Sequence, residues 1–129
     1  MEINDLHIGG CTSVQFNPNN AVEILSLGRD SQLKLVDIRN RTVLHTFQHA
    51  EFRVDLNYAS SSISPDGKFA IAGSTSTGNL FIWDTSTGAL TAKVPGHGVG
   101  IVAVTWGRGG TNGQQVASID KSGSLVLWA

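Results

Sequence analysis

Apolar and polar residues alternate along this chain in short runs, and no stretch spaces its apolar residues at a helical period. Residues 12–17 set Val14 and Phe16 against Thr, Ser and Gln, the pattern of a half-buried strand. Residues 22–27, 32–37 and 42–48 continue as three more strands, with turns at 17–20, 28–31 and 39–41. The same series then recurs. Strands are predicted at 57–64, 68–73, 79–84 and 89–94, and again at 100–106, 114–119 and 124–128, with turns at 64–67, 85–88 and 107–113. One strand marks the register. GNLFIWD (78–84) is copied by SQLKLVD (31–37) and GSLVLWA (123–129), which places Leu33, Leu80 and Leu125 in one column. Leu35, Ile82 and Leu127 form the next column, and Val36, Trp83 and Trp128 the third. Val36 and Trp83 are 47 residues apart, and Trp83 and Trp128 are 45 apart. A mid-forties period with four strands per unit predicts an all-β chain built of β-propeller blades. The blades are expected at 8–48, 57–94 and 99–129, and the second carries an insertion of about five residues around 51–57.

Composition narrows the class. The 129 residues are 40% hydrophobic and 15% charged, which describes a globular chain with a core. A net charge of −1 offers no basic field for nucleic acid or an anionic membrane. Cys11 is the single cysteine, so there is no internal disulfide and no cysteine-rich zinc site, and a reducing, cytoplasmic setting is expected. No apolar run approaches the roughly 20 residues of a membrane span, and no secretory signal is recognised.

With the strands placed, their motifs resemble the WD-repeat family. Trp83-Asp84 matches the signature dipeptide, Gly96-His97 the family's Gly-His, and Ser64-Pro65-Asp66-Gly67 the turn after a first strand. The resemblance implies a hydrogen-bond network in each blade, in which a loop His, a second-strand Ser and a turn Asp brace the third-strand Trp. Its members here would be His7, Ser26 and Asp30 in the first blade, where Val36 stands at the Trp position. In the second they would be His49 and Trp83, with Thr77 near the Asp position. His97, Ser118 and Trp128 serve the third, with Asp120 two residues out of register. Longer stretches are similar to the last three blades of the autophagy-related protein sixteen family: LGRDSQLKLVDIRNRTVLHTF, SISPDGKFAIAGSTSTGNLFIWDTSTGAL and the ending VASIDKSGSLVLWA. That family's coiled coil has no counterpart here, so functions carried by one are not assigned.

Several groupings invite a chemical reading. His7, Ser26 and Asp30 have the composition of a hydrolase triad, but no Gly-x-Ser-x-Gly elbow accompanies them and a similar His–Ser pair recurs in the third blade, so bracing is expected. The glycine-rich 107–113 lacks a Walker Lys-Ser/Thr and a following helix, and is expected to be a hairpin. His45, His49 and His97 have no ligand-like spacing, so neither a metal nor a cofactor is expected. Trp83, Trp106 and Trp128 lie on strands and are expected to pack in the core. The insertion HAEFRVDLNY (49–58) gathers Phe52, Arg53 and Tyr58 as candidate partner-binding residues. Burial of Phe52 and Tyr58 at the blade junction is an equally open reading.

Three blades leave two apolar sheet faces uncovered. Residues 1–6 run into His7 as 89–94 run towards His97, and so align as a displaced outer strand. A homo-oligomer is expected in which this strand completes the last blade of another copy, head to tail; a fragment of a longer propeller is the alternative. The expected function is a non-catalytic scaffold binding proteins or peptides, in autophagy if the resemblance holds, without nucleic-acid binding or direct membrane insertion. A WD-repeat scaffold of another pathway and a self-assembling fragment with no native partner are the competing readings.

Overall fold

The structure, a computed structural model, describes residues 2–107 and 115–128. Eleven strands form three antiparallel sheets, and no helix occurs among the described residues. Blade 1 is β1 (Cys11–Asn17), β2 (Asn20–Gly28), β3 (Leu33–Asp37) and β4 (Thr42–Phe47), paired in chain order. Blade 2 is β5 (Ser61–Ile63), β6 (Phe69–Gly73), β7 (Asn79–Asp84) and β8 (Leu90–Pro95). Blade 3 is β9 (Ile101–Trp106), β10 (Val116–Asp120) and β11 (Leu125–Trp128). Of the 107–113 turn, Gly107 is described and its N–H donates to the Gln115 carbonyl at 2.7 Å; the rest of that turn lies outside the described residues.

Turn chemistry explains where the strands stop. Asp84, the acid of the Trp-Asp pair, accepts from the Ser86 N–H at 2.8 Å and the Ser86 hydroxyl at 2.6 Å, and so folds the turn into β8. Asp37 does the same for blade 1 by accepting from the Arg39 N–H at 2.9 Å. In blade 2 the Ser64 hydroxyl donates to Asp66 at 2.6 Å and accepts from the Phe69 N–H at 3.0 Å, which closes the β5–β6 turn.

The strand register reproduces the sequence columns. Leu27 pairs with Leu33, Gly73 with Leu80 and Ile119 with Leu125, so the three leucines hold equivalent places. Val36, Trp83 and Trp128 likewise face Ile24, Ala70 and Val116. The sheets stack face to face in the order 1–2–3 through two cores. Leu25, Leu27, Leu33, Leu35 and Phe47 of blade 1 meet Ile63, Ala70, Ala72, Phe81 and Trp83 of blade 2. Ile71 and Leu80 of blade 2 meet Ile101, Val104, Trp106 and Val116 of blade 3. Each fully buried Leu, Ile, Val or Phe among them contributes about 1.5–3 kcal/mol, so the sheets hold one another in place.

Residues 2–6, expected as a displaced outer strand for another copy, pair with no strand within the single chain. Ile3 and Leu6 lie instead in a groove on the uncovered side of blade 1, and Lys34 Nζ donates to the Leu6 carbonyl at 2.6 Å. The first strand of blade 2 starts at Ser61 and not at the expected residue 57, because the preceding residues are drawn into the junction between blades 1 and 2.

Candidate functional site

The loop-end histidines of blades 1 and 3 each sit in a relay. His7 Nε2 lies 2.9 Å from Ser26 Oγ, and its Nδ1 lies 3.0 Å from Asp30 Oδ1. His97 Nε2 lies 2.7 Å from Ser118 Oγ, and its Nδ1 lies 2.7 Å from Asp120 Oδ2. Trp128 Nε1 then donates to Ser118 Oγ at 2.9 Å, so blade 3 holds all four members. Asp120 is therefore a full member of the network, which corrects the expected mismatch of register.

The reason is positional. Asp120 ends β10 two residues past Ser118, at the place that Gly28 takes two residues past Ser26. In blade 1 a Cβ at Gly28 would lie 2.2 Å from His7 Nδ1 and 2.6 Å from Asp30 Oδ1. The glycine leaves room for a carboxylate that arrives from two residues further on. Blade 3 delivers the carboxylate from the strand itself.

A second exchange accounts for the tryptophan missing from blade 1. A Cβ at Gly96, just before His97, would lie 2.2 Å from Cζ2 and Cη2 of Trp128, so the indole needs glycine there. The residue before His7 is Leu6, and it lines the same groove as Val36 and Ser26. A large residue before the histidine and a small one on the third strand replace glycine and tryptophan.

Blade 2 does not build the network. Ala72 occupies the serine position, opposite Phe81. His49 Nδ1 accepts from the Glu51 N–H at 3.0 Å, and its ring packs on Phe81 at 5.1 Å. Trp83 lies in the core between Phe47 and Phe52, at ring distances of 5.8 and 5.2 Å, and Thr77 is exposed in its turn. His49 and Trp83 are not brought together as a relay. Trp106 stacks on Phe69 at 6.4 Å, with its indole N–H buried and without an acceptor among the described residues.

The insertion separates the three residues picked out in it. Phe52 is 0% exposed and stands edge-on to Phe81 and Trp83, which removes it from the candidate binding residues. Tyr58 is 65% exposed, and the Arg53 side chain is on the surface. The backbone between them is pinned. The Thr75 N–H and hydroxyl donate to the Arg53 carbonyl at 2.8 and 3.1 Å, and the Val54 N–H donates to Ser31 Oγ at 2.9 Å. Beside Arg53 opens a polar cleft of about 230 Å³, lined by Asp30, Ser31, Gln48, His49 and Ala50. Arg29 donates to Asn57 at 3.1 Å, and Lys93 pairs with Glu51 at 2.8 Å, so charge-bearing side chains frame this rim.

The Asp120 carboxyl is held far below the usual carboxylate range, first by the Ser122 hydroxyl, then by His97 and by the backbone N–H groups of Ser124 and Ser122. A depressed acid contributes stability above its unfolded value, near 3.9, and loses it as the pH falls towards the folded value. Melts between about pH 6 and pH 2 should therefore fall more steeply for the native chain than for Asp120→Asn. Part of the slope should survive in the variant, because hydroxyl and N–H donors also depress Asp66 and Asp84.

Known proteins are similar to this chain in sequence. A family model described as the cytochrome D1 heme domain matches residues 4–120. Protein tipD of Dictyostelium discoideum is 32% identical over 129 residues, covering 98% of this chain and 20% of its own. Protein Atg16l2 of Mus musculus is 35% identical over 108 residues, 83% of this chain and 17% of that one. Autophagy-related protein 16 of Arabidopsis thaliana is 30% identical over 122 residues, 95% and 23% respectively. The chain belongs to the family so described, and its homologues are autophagy-related protein 16 proteins. The resemblance to that group read from the blade segments is thereby borne out. The chain spans about a fifth of the length of these autophagy-related 16 relatives.

The haem in the family description can be tested against the donors present. Haem iron takes an axial His, Cys, Met or Tyr from a pocket that encloses the ring. Both nitrogens of His7 and of His97 are committed to Ser and Asp partners, while His49 packs on Phe81 and His45 lies 6.0 Å from the Phe47 ring on β4. An apolar groove of about 350 Å³ is lined by Cys11 with aliphatic residues and Ser26, but it lies open on the uncovered side of blade 1, with the thiol exposed, and does not enclose a ring. No three His, Cys, Asp or Glu residues gather to hold a metal among the described residues. These donors do not fit a haem. No helix among the described residues is long and apolar enough to cross a membrane.

Proposed function

We infer that this chain is part of a WD-repeat β-propeller that serves as a non-catalytic scaffold for protein or peptide partners in autophagy. The observation that carries this reading is its similarity to autophagy-related protein 16 proteins over 83–98% of the chain. The arrangement of the relays favours a scaffold over an enzyme. The His7–Ser26–Asp30 set has the contacts of a triad, but Ser26 is buried, and blade 3 repeats the set with Trp128 seated on its serine. The working surface in this reading is the loop rim that carries Arg53, Tyr58 and the adjoining polar cleft. It would recruit the lipid-conjugation machinery to membranes from the cytoplasm through adaptor proteins. Neither nucleic acid nor direct membrane insertion has a role in it.

The test is affinity capture of autophagy components from cytoplasmic extract, with the native chain and with an Arg53→Ala, Tyr58→Ala double variant. Loss of capture in the variant is expected, with the melting temperature unchanged to about 2 °C, since both side chains are exposed. Native-level capture by the variant would move the binding surface elsewhere. Capture without any autophagy component would favour a scaffold of another pathway.

A further inference from the structure

We propose that the cleft beside Arg53 binds the carboxylate of an Asp or Glu side chain carried by a peptide partner. The inference rests on the scaffold reading of this rim and names the chemistry that its partner brings. The cleft lies at the junction of blades 1 and 2, both of them within this chain.

The side chains that line the cleft divide into spent acceptors and free donors. Asp30 Oδ1 already accepts from His7 Nδ1 at 3.0 Å and from the Gln32 N–H at 3.2 Å, and Oδ2 accepts from the Ile8 N–H at 3.1 Å. Gln48 Oε1 accepts from Gln32 Nε2 at 3.2 Å, which leaves the Gln48 amide N–H groups to donate. His49 Nδ1 accepts from the Glu51 N–H at 3.0 Å, so the ring hydrogen is on Nε2, which has no partner among the described residues. The Ser31 oxygen accepts from the Val54 N–H at 2.9 Å and keeps its own hydrogen to donate.

Arg53 supplies the charge. Ser74 and Thr75 fix its backbone, while its guanidinium forms no hydrogen bond or ion pair among the described residues. The acids on either side of it in sequence are engaged elsewhere. Glu51 pairs with Lys93 at 2.8 Å, and Asp55 accepts from Thr75 and lies 3.8 Å from Lys121 Nζ. A cation with paired N–H groups, further donors around it and no free side-chain acceptor on the lining describe a site for a planar anion. Asp30 adds its own negative charge to the wall, which disfavours a doubly charged phosphate. The volume of about 230 Å³ takes one side chain and falls short of the roughly 300–1,000 Å³ usual for a small-molecule pocket. A carboxylate at a chain end is held by successive backbone N–H groups, whereas the donors here are side chains.

Magnetic resonance titration of the isotope-labelled chain tests this, read at the Arg53 Nε–H and the His49 ring. The probes, at millimolar concentration, are acetyl-Gly-Gly-Glu-Gly-Gly-amide, its Gln counterpart, acetyl-pentaglycine with a free carboxyl end, and inorganic phosphate. The Glu peptide should shift both signals saturably, and the Gln peptide should bind at least about 10-fold more weakly. Arg53→Ala should weaken the Glu peptide by at least about 10-fold, and Arg53→Lys, which keeps the charge without the fork, should fall in between. The side chain is exposed, so neither variant should lose its fold, and a melt checks that. Equal binding of the Glu and Gln peptides, or an Arg53→Ala chain that binds as the native one does, would overturn the proposal. So would tighter binding of phosphate or of the pentaglycine acid, or the absence of any shift. The scaffold reading fails separately. Arg53-dependent capture from extract with no response to the Glu peptide would leave that reading standing and sink the acidic side chain as its ligand.

Discussion

Replacing Phe52 by alanine is expected to destabilise the chain by about 3–5 kcal/mol, the range for deleting a fully buried aromatic side chain. Its ring has no solvent exposure and touches two other aromatics, Phe81 at 5.5 Å and Trp83 at 5.2 Å. Those rings hold the blade 1–2 junction with Phe47. The backbone around Phe52 cannot collapse into the cavity, because Thr75 and Ser74 fix Arg53 from blade 2 while Ser31 fixes Val54 from blade 1. Much of the lost volume should stay empty, which places the cost towards the upper end of the range. Urea unfolding of Phe52→Ala and Arg53→Ala measures the contrast. The neighbouring Arg53→Ala should stay within about 0.5 kcal/mol of the native chain, as expected for an exposed side chain whose backbone makes the contacts. Similar losses in the two variants would show that the insertion does not brace the junction.

The insertion also shows where the chain was readable. Strand identity, the three columns and the antiparallel pairing follow from period-two alternation and from a repeat in the mid-forties, so β3, β7 and β11 align residue for residue. The repeat carries no information about residues present in only one copy. Phe52 and Val54 occur in one loop, and nothing in their spacing distinguishes an exposed anchor from a plug between sheets. The network was legible where its spacing was regular and obscure where two positions had been exchanged together. Asp120 looked misplaced because the carboxylate lies two residues after the serine in blade 3 and four residues after it in blade 1. Only the pairing of β10 with β11 reveals that Gly28 and Asp120 share a position. The Leu6–Val36 and Gly96–Trp128 exchange was hidden for the same reason, since the partners are some thirty residues apart. The short β5 follows from the plug, which draws the preceding chain into the junction before pairing can begin.

The two relays are chemically alike but should not be energetically alike. Ser118→Ala should cost about 2 kcal/mol, and Ser26→Ala about 1 kcal/mol, because the first deprives two part-buried groups of their contact and the second deprives one. Ser118 Oγ joins His97 Nε2 at 2.7 Å to Trp128 Nε1 at 2.9 Å, so its removal leaves both the imidazole and the indole without their contact. Ser26 Oγ meets His7 Nε2 at 2.9 Å, and Val36 offers nothing in place of the indole. The Cys11 thiol, 4.0 Å away, is a weak acceptor and replaces little of that contact. The indole also couples the serine to the third strand. Losing it should loosen β11, the outermost strand of blade 3, before the inner strands. Hydrogen exchange at Val126 and Trp128 in Ser118→Ala should then rise more than at Lys34 and Val36 in Ser26→Ala. Equal costs for the two alanine variants would mean that Trp128 contributes by packing alone, and that the bond to Ser118 adds nothing to the hold of strand on strand.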